Sequence, residues 1–403
     1  MTTTNTEPAD RANTTFDFDH LTPGIPADVT RQTYADMRET CPVAHSPHYG
    51  GIDIITRYGD VRGALNDSAT FSSSDGVFIP ASGFPQIPAL EFDEPEHSKW
   101  RAALNDPLTP QAVHAFEPTI TEVADLLIDS FAAKGEADLA EDFAEPLPAI
   151  VIGRMVGLDQ TESVEVREIA SALFASIGTS DFPTRMNEFE TFTEARLAER
   201  RAQPREDFLT DLAHGEIAGV KIDRTEASGL LIAYLLGGHH STASGIAGLI
   251  NFTLTEPGLL DHLREDRKLV ARAVEESLRL TTPLQLFGRT AKCPVAVEGA
   301  SIPAGQRVFL ALASANRDPR EFVDPEHFHL ARKRNRHLSF GAGDHVCQGQ
   351  HLARAEMRIA LDRLLDRLPD LHLTAPAVQG GLSGGTLMAI QSLPAAFTPA
   401  ASS

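Results

Sequence analysis

The 403-residue chain has only three cysteines, one tryptophan and four tyrosines. Cys41, Cys293 and Cys347 form an odd and widely spaced set. That excludes the paired framework of a small secreted domain and fits a reducing cytoplasm. Positive charge is also scarce. Thirty-five Lys and Arg against 56 Asp and Glu leave a formal charge of -21, so neither nucleic acid nor an anionic membrane is an expected partner. Long apolar runs are missing too. The most apolar stretch, residues 230–250, is broken by His239, His240, Ser241, Thr242 and Ser244, which points to a buried helix and away from a membrane span. Residues 1–11 show no basic segment leading into an apolar one, so no signal peptide is expected.

What is present, 42% hydrophobic and 23% charged residues, describes a globular chain with a large core. Residues 1–18 read as a disordered tail and 19–403 as a single domain, with no linker or repeat dividing it. A helix is expected over 30–39 and a short strand over 52–56. The Gly-, Pro- and Ser-rich residues 72–90 read as a long irregular loop, a kind of segment that is often functional. From 94 to 257 the pattern is mainly helical. Asp223 and Glu226 have capping-box spacing at the head of a helix that runs to about Thr255, before Pro257. A second helix is expected over 268–280, strands over 295–297 and 308–312, and a last helix over 349–368 that buries Leu352, Met357, Ile359, Leu361, Leu364 and Leu365. Gly380, Gly381, Gly384 and Gly385 suggest a closing hairpin.

The segment that carries chemistry runs from Phe340 to Gly349, with Cys347 just ahead of the last helix. A thiolate ligand needs positive potential, and free N–H groups and the dipole of a helix start provide it. Gly341, Gly343 and Gly349 let the backbone turn sharply and pass close to a flat cofactor. Phe340, Gly341, Gly343, His345, Cys347, Gly349, Leu352, Ala353 and Arg354 resemble the cysteine-loop signature of the cytochrome P450 family. Glu276 and Arg279 resemble the family's Glu-x-x-Arg pair. Residues 315–319 and 322–328 look like the meander that leads into its cysteine loop. The resemblance spans roughly residue 20 to the C-terminus.

It implies a mainly α fold, a helical prism with a small β-rich side region. It also implies haem b with its iron on the Cys347 thiolate and dioxygen as co-substrate. His97, Arg101, Arg289 and His337 are matched to positions that contact the haem propionates, and Phe340 belongs to the same cofactor site. Trp100, between His97 and Arg101, is expected either at the haem edge or simply in the core. Residues 236–243 resemble the family's oxygen-binding groove, with Gly237 and Gly238 giving room and a loosened helix. The family follows these with an acid and an alcohol that carry protons toward dioxygen. Here His240 stands at the acid position and Ser241 at the alcohol position, with Thr242 next to it. Val77, Phe78, Leu90, Ala233, Leu236, Gly237, Gln285 and Phe287 are expected around the substrate, with Gln285 as a polar anchor. The stretch 87–90 resembles family members that act on small terpenoids.

The activity implied is insertion of one oxygen atom from dioxygen into a small apolar substrate. Electrons would come from a ferredoxin and its NAD(P)H-dependent reductase, because 403 residues hold no reductase of their own. Arg332, Lys333, Arg334, Arg336, Arg354 and Arg358 flank the cysteine loop as a local basic patch suited to an acidic ferredoxin. The missing acid leaves two other readings open, a peroxide-using haem-thiolate enzyme and a non-catalytic haem-binding sensor.

Overall fold

Asp223 and Glu226 close on each other as their spacing predicts. The Asp223 carboxylate accepts from the Glu226 N–H and the Glu226 carboxylate from the Asp223 N–H, each at 2.8 Å. The helix they start, Arg224–Thr255, has 32 residues and is about 48 Å long. These and the following details come from a computed structural model that describes residues 14–217 and 219–399. Leu230, Leu231, Ile232, Tyr234, Leu235 and Leu236 are all buried, so the helix is wrapped by protein on every side. It packs against Pro146–Val156, Val270–Thr281 and Gln350–Arg367. Among the described residues no helix is long and apolar enough to cross a membrane.

The expected helices and strands form, with ends displaced by a few residues. The first helix is Ala27–Thr40 and the last Gln350–Arg367. The strand read at 308–312 is Arg307–Ala311, and Gly384 and Gly385 turn the hairpin Val378–Ser383 to Leu387–Ser392. The tail boundary needs correction. Thr15 bridges to His45, the Phe16 N–H donates to the His45 carbonyl at 2.8 Å, and Phe18 is buried. Residues 14–18 are therefore part of the folded body, held by one strand edge and one aromatic anchor. The rest of the expected tail lies outside the described residues.

Beside the helices stands a five-stranded sheet in the order Val43–Ser46, Ile52–Ile55, Arg307–Ala311, Leu286–Ala291, Phe71–Ser72. The Ile52–Ile55 and Arg307–Ala311 pair is parallel and the others are antiparallel. Strand Leu286–Ala291 aims Phe287 and Arg289, two residues apart and so on one face, at the interior cavity. Between them the Gly288 N–H donates to the Val77 carbonyl at 2.8 Å. A Cβ at Gly288 would stand 2.7 Å from that same oxygen, so this position has room only for glycine.

The irregular loop 72–90 is pinned by two charges. The Arg307 guanidinium donates to the carbonyls of Asp75, Gly76 and Phe78 at 2.7–3.0 Å. The Glu91 carboxylate accepts from the N–H groups of Val77 and Ile87, both at 3.0 Å. This fixes a segment that has almost no regular structure of its own.

Candidate active site

The centre of the molecule holds a cavity of about 310 Å³ with Cys347 in its wall. The cysteine loop is shaped by backbone bonds, the Cys347 N–H donating to the Phe340 carbonyl and the Gly341 N–H to the Leu338 carbonyl, both at 2.8 Å. Gly343 has φ +68, and a Cβ there would lie 2.4 Å from the Leu65 carbonyl oxygen, so no other residue can take this turn unstrained. Cys347 is exposed, but to the internal cavity and not to bulk water. Burial by the surrounding protein raises its thiol pKa, and N–H groups of Gly349 and Gln350 with the charges of Arg101 and Arg354 work in the opposite direction. Those are the helix-start donors that the sequence placed there. A soft metal-binding sulfur in a cavity wall, with N–H groups turned toward it, suits a thiolate iron ligand.

A second feature fits haem independently. Arg101, Arg289 and His345 line the same cavity. Arg289 is 4% exposed, and among the described residues the only acceptor its side chain finds is the Gly288 carbonyl at 2.8 Å. Desolvation lowers its pKa to about 10, which leaves it charged at neutral pH. Among the described residues the Arg101 side chain reaches only the Val346 carbonyl, at 2.7 Å. The rings of His97 and His345 lie 4.1 Å apart, and His97 Nε2 and His345 Nδ1 are buried without partners. Two guanidinium groups and two ring nitrogens with spare hydrogen-bonding capacity, beside a largely apolar cavity, are what a flat apolar cofactor with a carboxylate edge requires.

His337 is a correction. Its side chain is 2% exposed and turned to Glu275, with Nε2 3.2 Å from the carboxylate, and it is not on the cavity wall. The residue that stands there is His345, two before Cys347. The sequence showed it inside the cysteine loop without revealing which of the two histidines the loop folds inward. Trp100 is core, 1% exposed and packed near Phe92. Glu276 and Arg279 pair as expected, with contacts of 2.8 and 3.0 Å. Arg279 also holds the carbonyls of Asn316, Pro325 and His327, so the pair clamps the segment that leads into the cysteine loop.

On the other side of the cavity the long helix presents Leu236, Gly237, His240, Ser241 and Thr242. The helix runs through Gly237 and Gly238 without interruption, so the expected loosening does not occur. Gly237 faces open space, and Gly238 fits against Ile152, 2.9 Å from where its Cβ would be. One glycine gives room in the cavity and the other lets two helices approach. Ser241 Oγ donates to the Gly237 carbonyl at 3.3 Å. His240 Nε2 meets Ser171 Oγ at 3.2 Å, its ring stacks on Phe174 at 5.1 Å, and Nδ1 is buried without a partner. Desolvation, with the neighbouring His239, lowers the His240 pKa to about 3, so the imidazole is neutral at any working pH.

Val77, Phe78, Leu90, Ala233, Leu236, Gly237 and Phe287 all line the cavity. Gln285 does not. It is 2% exposed, and its amide donates to the Thr281 carbonyl at 3.1 Å and to that of Thr282. It caps the end of a helix, where carbonyls lack intrahelical donors, and offers no anchor to a ligand. The sequence reading missed Phe84, Phe174, Thr386 and Leu387, which complete the wall. Phe78 meets Phe84 and Phe174 at 6.1 and 6.4 Å, a cluster assembled from segments far apart in the chain. The only local signal for any of these was the hairpin glycines beside Thr386. Glu356 was missed as well. It is fully buried on the cavity wall with both oxygens unpartnered, and burial raises its pKa well above the carboxylate range.

A sequence model described as Cytochrome P450 matches residues 178–369. The chain is 31% identical over 378 residues to the steroid C26-monooxygenase of Mycolicibacterium smegmatis, covering 92% of this chain and 93% of that protein. It is 34% identical over 369 residues to the nocardicin C N-oxygenase of Nocardia uniformis subsp. tsuyamanensis, covering 88% and 92%. Among solved structures, a mutant of P450 EryK in complex with erythromycin B superposes with a TM-score of 0.84 at 30% identity, over 95% of this chain and 100% of that one. These relatives span nearly the whole chain and agree with the thiolate loop, the buried cations and the groove helix. The chain belongs to the cytochrome P450 family, whose members hold haem through a cysteine thiolate and act with dioxygen as monooxygenases.

Proposed function

We propose that the folded body, from about residue 14 onward, works as one catalytic domain, in the cytoplasm, that oxygenates a small apolar substrate of terpenoid-like size. Cys347 is the proposed iron ligand. Arg101, Arg289, His97 and His345 are the proposed partners of the haem propionates. When bound, haem supplies the oxygen chemistry, and the thiolate's electron density favours O–O cleavage. The observation that carries the substrate class is the cavity wall beside the groove helix. Phe78, Phe84, Leu90, Phe174, Ala233 and Phe287 are apolar, Gln285 is turned away, and the Gln348 amide, on the cysteine-loop side of the cavity, donates to the Arg101 carbonyl at 2.9 Å. Such a wall selects by shape and burial.

In this reading His240 and Ser241 handle protons. A neutral imidazole accepts on one nitrogen and donates from the other. Its low pKa keeps it in that form, so coupling of electrons to product should not titrate with His240 near neutrality. A ferredoxin with its NAD(P)H-dependent reductase is the proposed electron source. Lys333, Arg334 and Arg336 are exposed and offer it a basic surface. The rest of the expected patch is neutralised, because Arg332, Arg354 and Arg358 pair with Glu276, Glu275 and Glu117.

The test of the substrate class is a spectral screen of the haem-loaded protein with terpenoids, aromatics, fatty acids and macrolides. Small terpenoids should give the spin-state shift that follows displacement of water from the iron. A shift with long fatty acids or macrolides alone would overturn the size assignment. One observation favours a second reading, use of peroxide. No carboxylate stands at the acid position of the groove, and product formed from hydrogen peroxide but not from a ferredoxin system would establish it.

A further inference from the structure

The groove helix carries two adjacent histidines, and only one of them faces the cavity. His240 does. His239 is 1% exposed and lies behind the cavity wall beside His240, where its Nε2 is 3.0 Å from a carboxylate oxygen of Glu145 and 3.2 Å from the Glu145 carbonyl. Glu145 joins the π-helical turn Ala140–Ala144 to the helix Pro146–Val156. Its side chain is 40% exposed, so it meets water. The two imidazole rings are 4.1 Å apart, and one donor atom from each of Glu145, His239 and His240 lies within 4.8 Å of the other two. A gap of that size is closed by one bridging water. His240 Nδ1, buried and unpartnered, has capacity to spare for such a bond.

We propose that Glu145, His239 and His240 form a proton path from bulk water to the cavity, with Glu145 as its entrance. The path deepens the proton role given to His240 above and rests on that reading for its use, though not for its existence. A proton from water joins the Glu145 carboxylate, breaking an O–H bond of hydronium and forming one on the carboxyl group. That carboxyl proton passes to His239, and a proton then moves from His239 to His240, each transfer breaking one O–H or N–H bond and forming one N–H bond. One proton leaves His240 for the cavity for each that enters, so all three groups return to their starting charge with no electron transferred, and each imidazole regains its starting tautomer by ring rotation before the next proton. The carboxylate that this groove lacks is thus supplied from another helix, one residue pair further from the cavity.

The charged and titratable groups around the path are few. Arg167, on the helix Gln160–Ala175, acts on Glu145 from one side, and Ser171 of the same helix holds His240. The His239 hydrogen bond and the charges of His239, His240 and Arg167 lower the Glu145 pKa in spite of burial, which raises it. At neutral pH the entrance is therefore an ionised acceptor.

The first readout needs no turnover. In the haem-loaded, carbon monoxide-bound ferrous protein with ¹⁵N-labelled histidine, the exchange of the His240 ring N–H with water is followed by NMR. Glu145→Gln keeps the shape and removes the acid, and should slow this exchange by about a hundredfold or more, in the range of general acid–base effects. Glu145→Asp should restore part of it, and His239→Gln should slow it as well. An unchanged carbon monoxide spectrum checks that each variant is folded. Equal exchange at His240 in Glu145→Gln and wild type would overturn the path. The second readout is the share of NAD(P)H electrons released as hydrogen peroxide, which should rise in Glu145→Gln. If exchange slows and peroxide release does not rise, the path stands and the use assigned to His240 falls. If His240→Ala raises peroxide release while Glu145→Gln changes neither readout, the His240 role stands and the outer limb falls.

Discussion

Arg279→Leu tests the structural clamp behind the cysteine loop. Arg279 is 0% exposed and its partner Glu276 1%. Its guanidinium meets five acceptors: both Glu276 oxygens and the carbonyls of Asn316, Pro325 and His327, all at 2.6–3.0 Å. Removing it leaves three carbonyls without this donor and a buried carboxylate short of its main counter-charge. Breaking a buried pair from one side costs about 3–5 kcal/mol. Glu276 keeps Arg332 Nε at 3.0 Å, the His329 N–H at 2.9 Å and Asn335 Nδ2 at 3.1 Å, which places the loss near the lower end, about 3 kcal/mol. Against a total stability of about 5–15 kcal/mol this is a large share. Lysine should rescue little, since it has no planar fork to serve a carboxylate and carbonyls together. The double variant Glu276→Gln, Arg279→Leu should be less damaged than the sum of its parts, because the buried Glu276 charge goes with its main partner and only Arg332, still held by the Val323 carbonyl at 2.8 Å, loses a carboxylate. Urea unfolding followed by circular dichroism and by the haem band would measure this. Haem should be lost with the fold, because Asn316, held through its carbonyl by Arg279, accepts the Leu338 N–H at 2.6 Å just before the cysteine loop. A urea midpoint for Arg279→Leu equal to that of wild type would refute the reasoning.

Cys347→Ser should abolish the haem-thiolate carbon monoxide spectrum, while Cys41→Ser and Cys293→Ser keep it. The reverse pattern would remove Cys347 as the ligand. Burial raises the pKa of Glu275, but hydrogen bonds from His337 and Arg354 outweigh it and hold it down to about 2. A depressed carboxylate stabilises the fold above its unfolded pKa of 4.5, and that contribution is lost as pH falls from there toward 2. Wild-type stability should therefore decline over this window more steeply than that of Glu275→Gln, as read by urea midpoints against pH. Reduction of the enzyme by an acidic ferredoxin should slow as salt rises, and more steeply than in the Arg334→Glu, Arg336→Glu double variant. Stopped-flow rates that are flat with ionic strength would exclude docking at this surface.

The cysteine loop and the long helix could be read from the sequence because local interactions determine both. The Asp223 and Glu226 capping box needs only one turn of backbone, and the Cys347 loop carries its glycines and its helix start within about ten residues. The division between His97 and Arg101 on one segment and Arg289 on another was readable only through resemblance, since nothing local brings them to one cavity. What tertiary structure alone decided were side-chain directions. His337 and His345 are both loop histidines, and only the folded loop shows that Glu275 takes the first and the cavity the second. Gln285 looked like a ligand anchor until the helix end beside it claimed its amide. Arg332, Arg354 and Arg358 looked like free charge until acids from distant helices reached them. The Glu145 partner of His239 lies 94 residues away in sequence, and no periodicity or spacing points to it. Sequence determines where backbone bonds and apolar faces go, because those are paired nearby or repeated. The partner of a buried polar side chain is whichever group the packed fold brings within about 3 Å.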